Sequence, residues 1–546
     1  WLKPEHGKYG RLSIGMYGML PETLRSFGAD CVVSPDLSAE DLDGADLVIL
    51  LFPDDPWEPG QLERLWAYAG GGGTLMVMGE HTAVADREKG GESRFNEVLA
   101  PTGARVRFDS ATFAVGGWLQ SYDAFRHPTS LGISDHRNAF GAVIGASLAG
   151  GWRTQPLLVG RWGWADPGEM AADGSLMGNH EYDGGEKLGD LLLAAEVPMG
   201  DGRFVLFGDT SGFTNGIMVG SYRYVGRLFA WYASGGPRIF ALWRQVAVLL
   251  LTAGLVALLV SAPRPQATAA WAAVALALGT QMVAGILFER VRAVPDGRRE
   301  GSRPVAYLDA SHMGLAASES WRPDGLAGLE LTLMRNGYLC KILQDLDDEH
   351  LSGASLLVFV APRRPFDSSE CALLREYVEG GGVLLLTAGV PEAGPSRPLL
   401  EEFGLSVGVP PESPNAREPK PLGHFKSPYL RSGDRMVHVR FHAAWPVFSS
   451  DPETRVIAYG RGNVPVLLMR RIGKGKVVLV GDTGFVMNKN LERRDGSPFE
   501  GMRENADFWR WFVTVLRDEP VWRPPALDPP SEAEAGRAGT PESEKQ

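Results

Sequence analysis

Positive charge is what this chain is short of. Lys and Arg number 54 against 66 Asp and Glu, a formal net charge of −12 over 546 residues. Without a basic face to hold phosphates, nucleic acid is excluded as the main partner. Only three cysteines occur, too few for a disulfide framework. Cys31 and Cys340 have no second Cys or His at ligand spacing and read as small buried apolar residues. The sequence has no Gly-x-x-x-x-Gly-Lys phosphate loop, so the chain does not energise transport itself. It has neither a His-Glu-x-x-His motif nor EF-hand spacing. The oxygen-rich segment with Asp173, His180, Glu181, Asp183, Glu186 and Asp190 therefore reads as an acidic surface loop, and no cofactor is implied. Gly145-Ala146-Ser147-Leu148-Ala149 falls one glycine short of a serine-nucleophile turn.

Repetition and long uncharged runs are what the chain does have. Residues 24–74 align without a gap to 333–383, at a constant offset of 309. The shared residues include Leu24 and Leu333, Gly28 and Gly337, Cys31 and Cys340, Asp36 and Asp345, Tyr68 and Tyr377, and the triplets Gly71–Gly73 and Gly380–Gly382. Between the copies, 245–263 and 265–288 carry no charge. Each run is long enough in residues for a membrane crossing, and Trp243 and Trp271 sit near helix ends, as interfacial aromatics do. These runs predict a transmembrane hairpin in a cell (inner) membrane, crossing twice, with both flanking domains on one side. Arg238, Arg244, Arg290 and Arg292 outside the turn, against Arg264 alone inside it, favour the cytoplasmic side. The chain starts at Trp1, and an anchor ahead of that residue would reverse the assignment.

Within copy one, Leu12–Tyr17 reads as a strand and 21–27 as a helix, with Pro21 at its start and Gly28 at its end. Cys31–Val33 reads as a second strand. The apolar run 45–52 suits a parallel strand buried on both faces. A helix over 61–69 stops at glycines, and a strand covers 74–78. Copy two repeats this order over 305–308, 326–335, 339–343, 355–360, 369–379 and 383–387. Each copy closes with a strand and a turn, Gly208-Asp209-Thr210 with Asn215 following, and Gly481-Asp482-Thr483 with Asn488 following. The predicted fold class is α/β: two tandem doubly wound domains, flavodoxin-like or Rossmann-like, flanking the two-helix transmembrane hairpin. Copy one covers 1–237 with a β-rich insertion at about 105–200, the hairpin 238–292 and copy two 303–518. A Pro- and Glu-rich tail, 526–546, is expected to be disordered.

The Pro-x-x-Pro-aromatic loop, the Tyr-x-x-Gly-Gly-Gly strand entry and the late Gly-Asp-Thr turn resemble class I glutamine amidotransferase-like domains. They are most similar to a non-catalytic branch found in bacterial membrane proteins of unknown function. That branch also occurs in auxiliary subunits of gliding-motility ABC transporters and in an intraflagellar transport subunit. The resemblance implies a nucleophilic Cys at the turn after the strand that follows the glycine run. Here that turn reads Gly79-Glu80-His81 in copy one and Ala388-Gly389-Val390 in copy two, so the thiolate is absent.

Six residues are candidate ligand-binding positions: Glu80, His81, Asp209, Asn215, Asp482 and Asn488. Each lies at the carboxyl end of a strand or just after it, where doubly wound sheets bind ligands; Asp209 and Asp482 are equally suited to cap a helix. The expectation is a membrane-anchored, non-enzymatic binding or scaffold subunit, or more narrowly an auxiliary subunit of an ABC-type transporter. Its partners would be the lipid bilayer and membrane-protein chains such as a separate ATPase and permease. The competing expectation is a hydrolase or transferase using Glu80, His81 and Asp209, which requires those three to share one pocket.

Overall fold

The structure is a computed structural model that describes residues 12–53, 55–80, 93–107, 109–112, 122–124, 127, 129–130, 133, 140–142, 145–167, 179, 181–236, 242–292, 303–312, 314, 322–411, 418–432, 435–491 and 503–523. The chain divides into two compact units, Gly15–Ser302 and Arg303–Gln546.

The second unit follows the doubly wound plan. Its strands are β7 (Val305–Asp309), β8 (Leu339–Leu343), β9 (Ala354–Val360), β10 (Val383–Thr387), β11 (Arg455–Tyr459), β12 (Pro465–Ile472) and β13 (Gly475–Val480), in the order β8-β7-β9-β10-β13-β12-β11. The first five in that order are parallel and the last two antiparallel. The central strands are buried along almost their whole length, as apolar runs between two helical layers must be. Helices α7 (Ala327–Arg335), α8 (Ser368–Glu379), α9 (Ala393–Glu402) and α10 (Arg503–Leu516) complete the unit. Asp367 starts α8 through a capping box with Glu370.

The first unit shares only part of that plan. Strands β1 (Leu47–Leu51), β2 (Thr74–Met78) and β6 (Gly202–Phe207) are parallel. The sheet then continues antiparallel through β5 (Lys187–Met199), β4 (Gln155–Pro167) and β3 (Asp109–Thr112), all from the segment expected to be a β-rich insertion. Helices α1 (Leu20–Ser26), α2 (Gln61–Gly70), α3 (Ser93–Leu99) and α4 (Asn215–Ala233) accompany it. The two leading strands expected at Leu12–Tyr17 and Cys31–Val33 do not form. Residues 12–18 are turns, 29–33 are irregular, and Val32 and Val33 stand 79% and 60% exposed. Short β-branched runs become strands only against a partner, and among the described residues β1 pairs with β2 alone.

The motif Tyr-x-x-Gly-Gly-Gly has the same physical basis in both units. Tyr68 and Tyr377 lie across the third glycine, and a Cβ on Gly73 or Gly382 would stand 2.4 or 2.2 Å from the ring. The phenols donate to Ala45 and Val383 carbonyls, which locks each helix-to-strand turn.

The transmembrane hairpin is corrected. Helices α5 (Leu242–Ser261) and α6 (Pro265–Arg292) do form, but among the described residues no helix is long and apolar enough to cross a membrane. The nonpolar stretch of α5 from Val246 to Val260, broken only by Thr252, spans roughly 22 Å, short of the ~30 Å hydrocarbon core. Much of the uncharged run of α6 is alanine, with Gln266, Thr268, Thr280 and Gln281 among it; lack of charge is not the same as apolarity. The two-pass inner-membrane placement, and the side of the membrane assigned from arginines, fall with the spans.

Candidate functional site

In unit 1 the carboxyl ends of β2 and β6 lie side by side and bring two of the candidate residues, Glu80 and Asp209, close together. Glu80 follows β2, and its Oε2 accepts from Thr210 Oγ1 at 2.9 Å and from the Thr210 amide at 3.4 Å. Asp209, one residue earlier in that turn, accepts from the Ser211 amide at 2.6 Å. Tyr17 closes the group. Burial pushes its phenol far up, against a hydrogen bond to Thr210, and the charges of Glu80 and Asp209 push the same way. His81 lies outside the described residues, so the Glu80–His81–Asp209 constellation rests on Glu80 and Asp209 alone.

Asn215 and Asn488 have the same structural partner in the two units. Asn215 Oδ1 accepts from the Met19 amide at 2.8 Å, at the start of α1. Asn488 Oδ1 accepts from the Gly328 amide at 2.6 Å, in the first turn of α7. Met19 and Gly328 are themselves separated by the repeat offset of 309. Asn488 also donates Nδ2 to the Arg322 carbonyl at 2.7 Å. Both side chains are therefore latches between the last turn of a unit and its first helix, satisfying an orphan N–H.

Asp482 is fully buried, and desolvation raises its pKa against backbone hydrogen bonds from Ala443, His442 and Gly484. Its Oδ2 accepts from the His442 and Ala443 amides at 2.5 and 2.9 Å, so it pins the loop that crosses above the sheet. The glycine before it is obligatory. A Cβ on Gly481 would sit 2.0 Å from the Trp445 carbonyl oxygen, and one on Gly208 would sit 1.9 Å from that of Ala146. In both units the Gly-Asp-Thr motif thus serves the close passage of an inserted segment over the last parallel strand.

The turn after β10, at Gly389, is closed. The Gly389 amide donates to Glu392 at 2.8 Å. The indole of Trp445 covers the position a side chain would take, with Cδ1 2.6 Å from where a Cβ would stand.

Sequence reasoning missed a second polar cluster, at the end of β7. His312 is fully buried and stacks on Phe366 at 3.9 Å. Its Nδ1 lies 2.9 Å from Ser311 Oγ and 3.3 Å from Asp309, and its Nε2 lies 3.1 Å from Arg364 Nη2 and 3.4 Å from Glu370. A nitrogen facing a guanidinium accepts, so Nδ1 carries the proton toward Asp309. This is the topological switch point of the unit-2 sheet, between β7 and β9, where doubly wound folds bind ligands. The run Asp309-Ala310-Ser311-His312 directly after a strand was the available signal. Both ring nitrogens have polar neighbours, and the cluster clamps the loop at the end of β7.

A cavity of about 800 Å³ opens at the opposite, amino edge of unit 2, beside Tyr338, Gly381, Lys474 and Arg517. The buried Lys476 on its wall is spent on the carbonyls of Val515 and Leu516, at 3.0 and 2.6 Å, at the end of α10. The acidic segment is open surface. Asp183 accepts from Asn179 and its amide donates to Glu186, and no metal-ligand cluster occurs among the described residues; Asp173 and His180 lie outside them.

Residues 318–510 match a domain of unknown function, DUF4350. An 89-residue stretch is 32% identical to the intraflagellar transport protein 52 homolog of Mus musculus, covering 15% of this chain and 20% of that protein. The chain thus spans about a fifth of the length of this curated relative. Among solved structures, the mmIFT52 N-terminal domain aligns over 40% of this chain and 100% of its own, at 19% identity and a TM-score of 0.31. The cytoplasmic protein STM3548 from Salmonella typhimurium aligns over 40% and 100%, at 14% and 0.28. The exo-β-1,4-mannosidase Op5Man5 from Opitutaceae bacterium strain TAV5 aligns over 43% and 39%, at 13% and 0.27. At such TM-scores these structures establish no shared activity.

Proposed function

We propose that this chain is a non-enzymatic binding or scaffold subunit of a larger assembly, made of two amidotransferase-like units that have given up the family's chemistry. One observation carries this reading: the polar residues at the strand ends are bound to backbone. Asn215 and Asn488 hold Met19 and Gly328, Asp482 holds His442 and Ala443, and Asp209 holds Ser211. A group whose lone pairs are committed to amides is a poor base or nucleophile. The turn of unit 2 offers Gly389 under Trp445 in place of a thiol. The local likeness to a protein named for intraflagellar transport, not for a reaction, points the same way. An auxiliary role beside separate ATPase and permease chains is the narrower form of this proposal.

The second reading, a hydrolase or transferase centred on unit 1, draws on the meeting of Glu80, Asp209 and Tyr17 around Thr210. One experiment separates the two. The purified chain and its Glu80→Gln and Asp209→Asn variants are assayed for amide, ester and glycoside hydrolysis. Equal background rates in all three are expected. A wild-type rate that Glu80→Gln removes would overturn the scaffold reading.

A further inference from the structure

The exposed apolar surface of this protein is concentrated in one place. Among the described residues, 24 large hydrophobic side chains are exposed, and 15 of them lie on α5 and α6. They amount to on the order of 1,000 Å² of apolar surface, above the few hundred Å² that a monomer normally leaves in water. It is also more than the roughly 800 Å² per partner of a standard protein interface.

The pattern on the helices says what kind of surface would cover them. Val248, Leu251, Leu255 and Leu258 follow one another at spacings of three, four and three, and all four are exposed, by 57%, 74%, 39% and 54%. Trp271, Val274 and Leu278 on α6 repeat the three-four spacing, exposed by 74%, 48% and 66%. Leu249, Leu250, Val256, Val260 and Leu276 are exposed beside these positions, so each helix carries a three-four row by which one helix packs into another, within a wider apolar surface. The hydroxyls of Thr252, Ser261 and Thr280 donate to the carbonyls of Val248, Ala257 and Leu276 at 2.7, 2.6 and 2.8 Å, so these three donors are already met on a face to be dried. Between 245 and 288 the only charge is Arg264 at the turn, so nothing on this face selects a charged partner, and it is complementary to itself.

We propose that the hairpin is covered by the hairpin of a second copy of this chain, the two packing as a four-helix bundle with two-fold symmetry. The dimer is independent of the scaffold reading, since an enzyme would dimerise through the same surface.

The test uses the full chain. Two copies with different tags are co-expressed, one is captured, and the mass of the eluted species is read by light scattering. The expected result is co-capture and a mass of twice 59.1 kDa. Leu251→Glu/Leu255→Glu should halve that mass and abolish co-capture, with a circular dichroism spectrum and melting like the wild type. Leu278→Glu, on the other helix, provides the same test should the double variant misfold. A monomeric wild type overturns the proposal, as does a dimer that none of these variants weakens. So does a chain that floats as a monomer with phosphatidylcholine vesicles, since lipid would then be the cover.

Discussion

In unit 1 the turn after β2 carries Glu80, and its carboxylate ties down Thr210. In unit 2 the equivalent turn carries Gly389, an indole lies over it, and the hydroxyl of Thr483 is buried without a partner. Other features of the same edge are shared. Both units latch the first helix with an Asn, both pass an inserted segment over a glycine, and both hold a non-glycine residue in the left-handed region just after a parallel strand. Those last residues are Phe52 and Ala361, each at φ 45°, whose amides donate to Met78 and Thr387 carbonyls at 2.9 Å. The copies have kept the side chains and angles that hold backbone together and have diverged in what faces the space above the sheet.

The comparison can be broken most forcefully at the latch. Asn488→Ala strands the Gly328 amide and the Arg322 carbonyl and should cost about 3 kcal/mol in urea unfolding of unit 2. Asn215→Ala should cost about 2 kcal/mol in unit 1. A loss in one unit only would show that the latch is not a shared device.

One pH dependence, at the first helix, should distinguish unit 2 from unit 1. Burial pushes the Glu330 carboxyl up to about 8 from its ordinary 4.5, whereas the same register in unit 1 is Pro21. The folded pKa lies above the unfolded one, so the stabilisation is complete below about pH 4.5 and is lost as pH rises through 8. The difference should reach on the order of 5 kcal/mol. Glu330→Gln should flatten that part of the stability–pH curve; a slope unchanged by the substitution would refute the assignment.

Exchanging the turn residues should have smaller effects of unequal size. Gly389→Glu drives a side chain into Trp445 and should cost about 2 kcal/mol. Glu80→Gly loses the Thr210 hydrogen bonds and should cost about 1 kcal/mol. The smallest effect is expected at the strained turn. Ala361→Gly should leave stability within about 1 kcal/mol of wild type, because relief of the positive φ offsets the added chain entropy. Ala361→Val should lower it clearly, as a shift in melting temperature would show.

Much of the layout was legible because the local signals there agree with the packing. The strands 74–78, 339–343 and 383–387 fall where the apolar runs and glycine stops put them. The segments that misled are those whose fate depends on distant partners. Val32 and Val33 have strand chemistry but no strand to join. The runs 245–263 and 265–288 are uncharged, but among the described residues no helix is long and apolar enough to span a membrane. At the candidate site, the repeat drew attention to Asn215 and Asn488 as ligand-binding positions, and spacing does not reveal that their side-chain amides face a helix start. The His312 cluster was invisible for a similar reason: Arg364 and Glu370 reach it from more than fifty positions away.

The latch also sets an order of assembly. Asn215 reaches back 196 positions to Met19, and Asn488 reaches back 160 to Gly328. At a synthesis rate of ~5–20 residues per second, roughly ten seconds or more separate the first helix of each unit from the side chain that closes it. During that interval a nascent unit has most of its sheet but an open seam at its oldest helix. Ribosome-bound chains halted before either asparagine should therefore be cut by protease near that helix, and chains halted beyond it should resist.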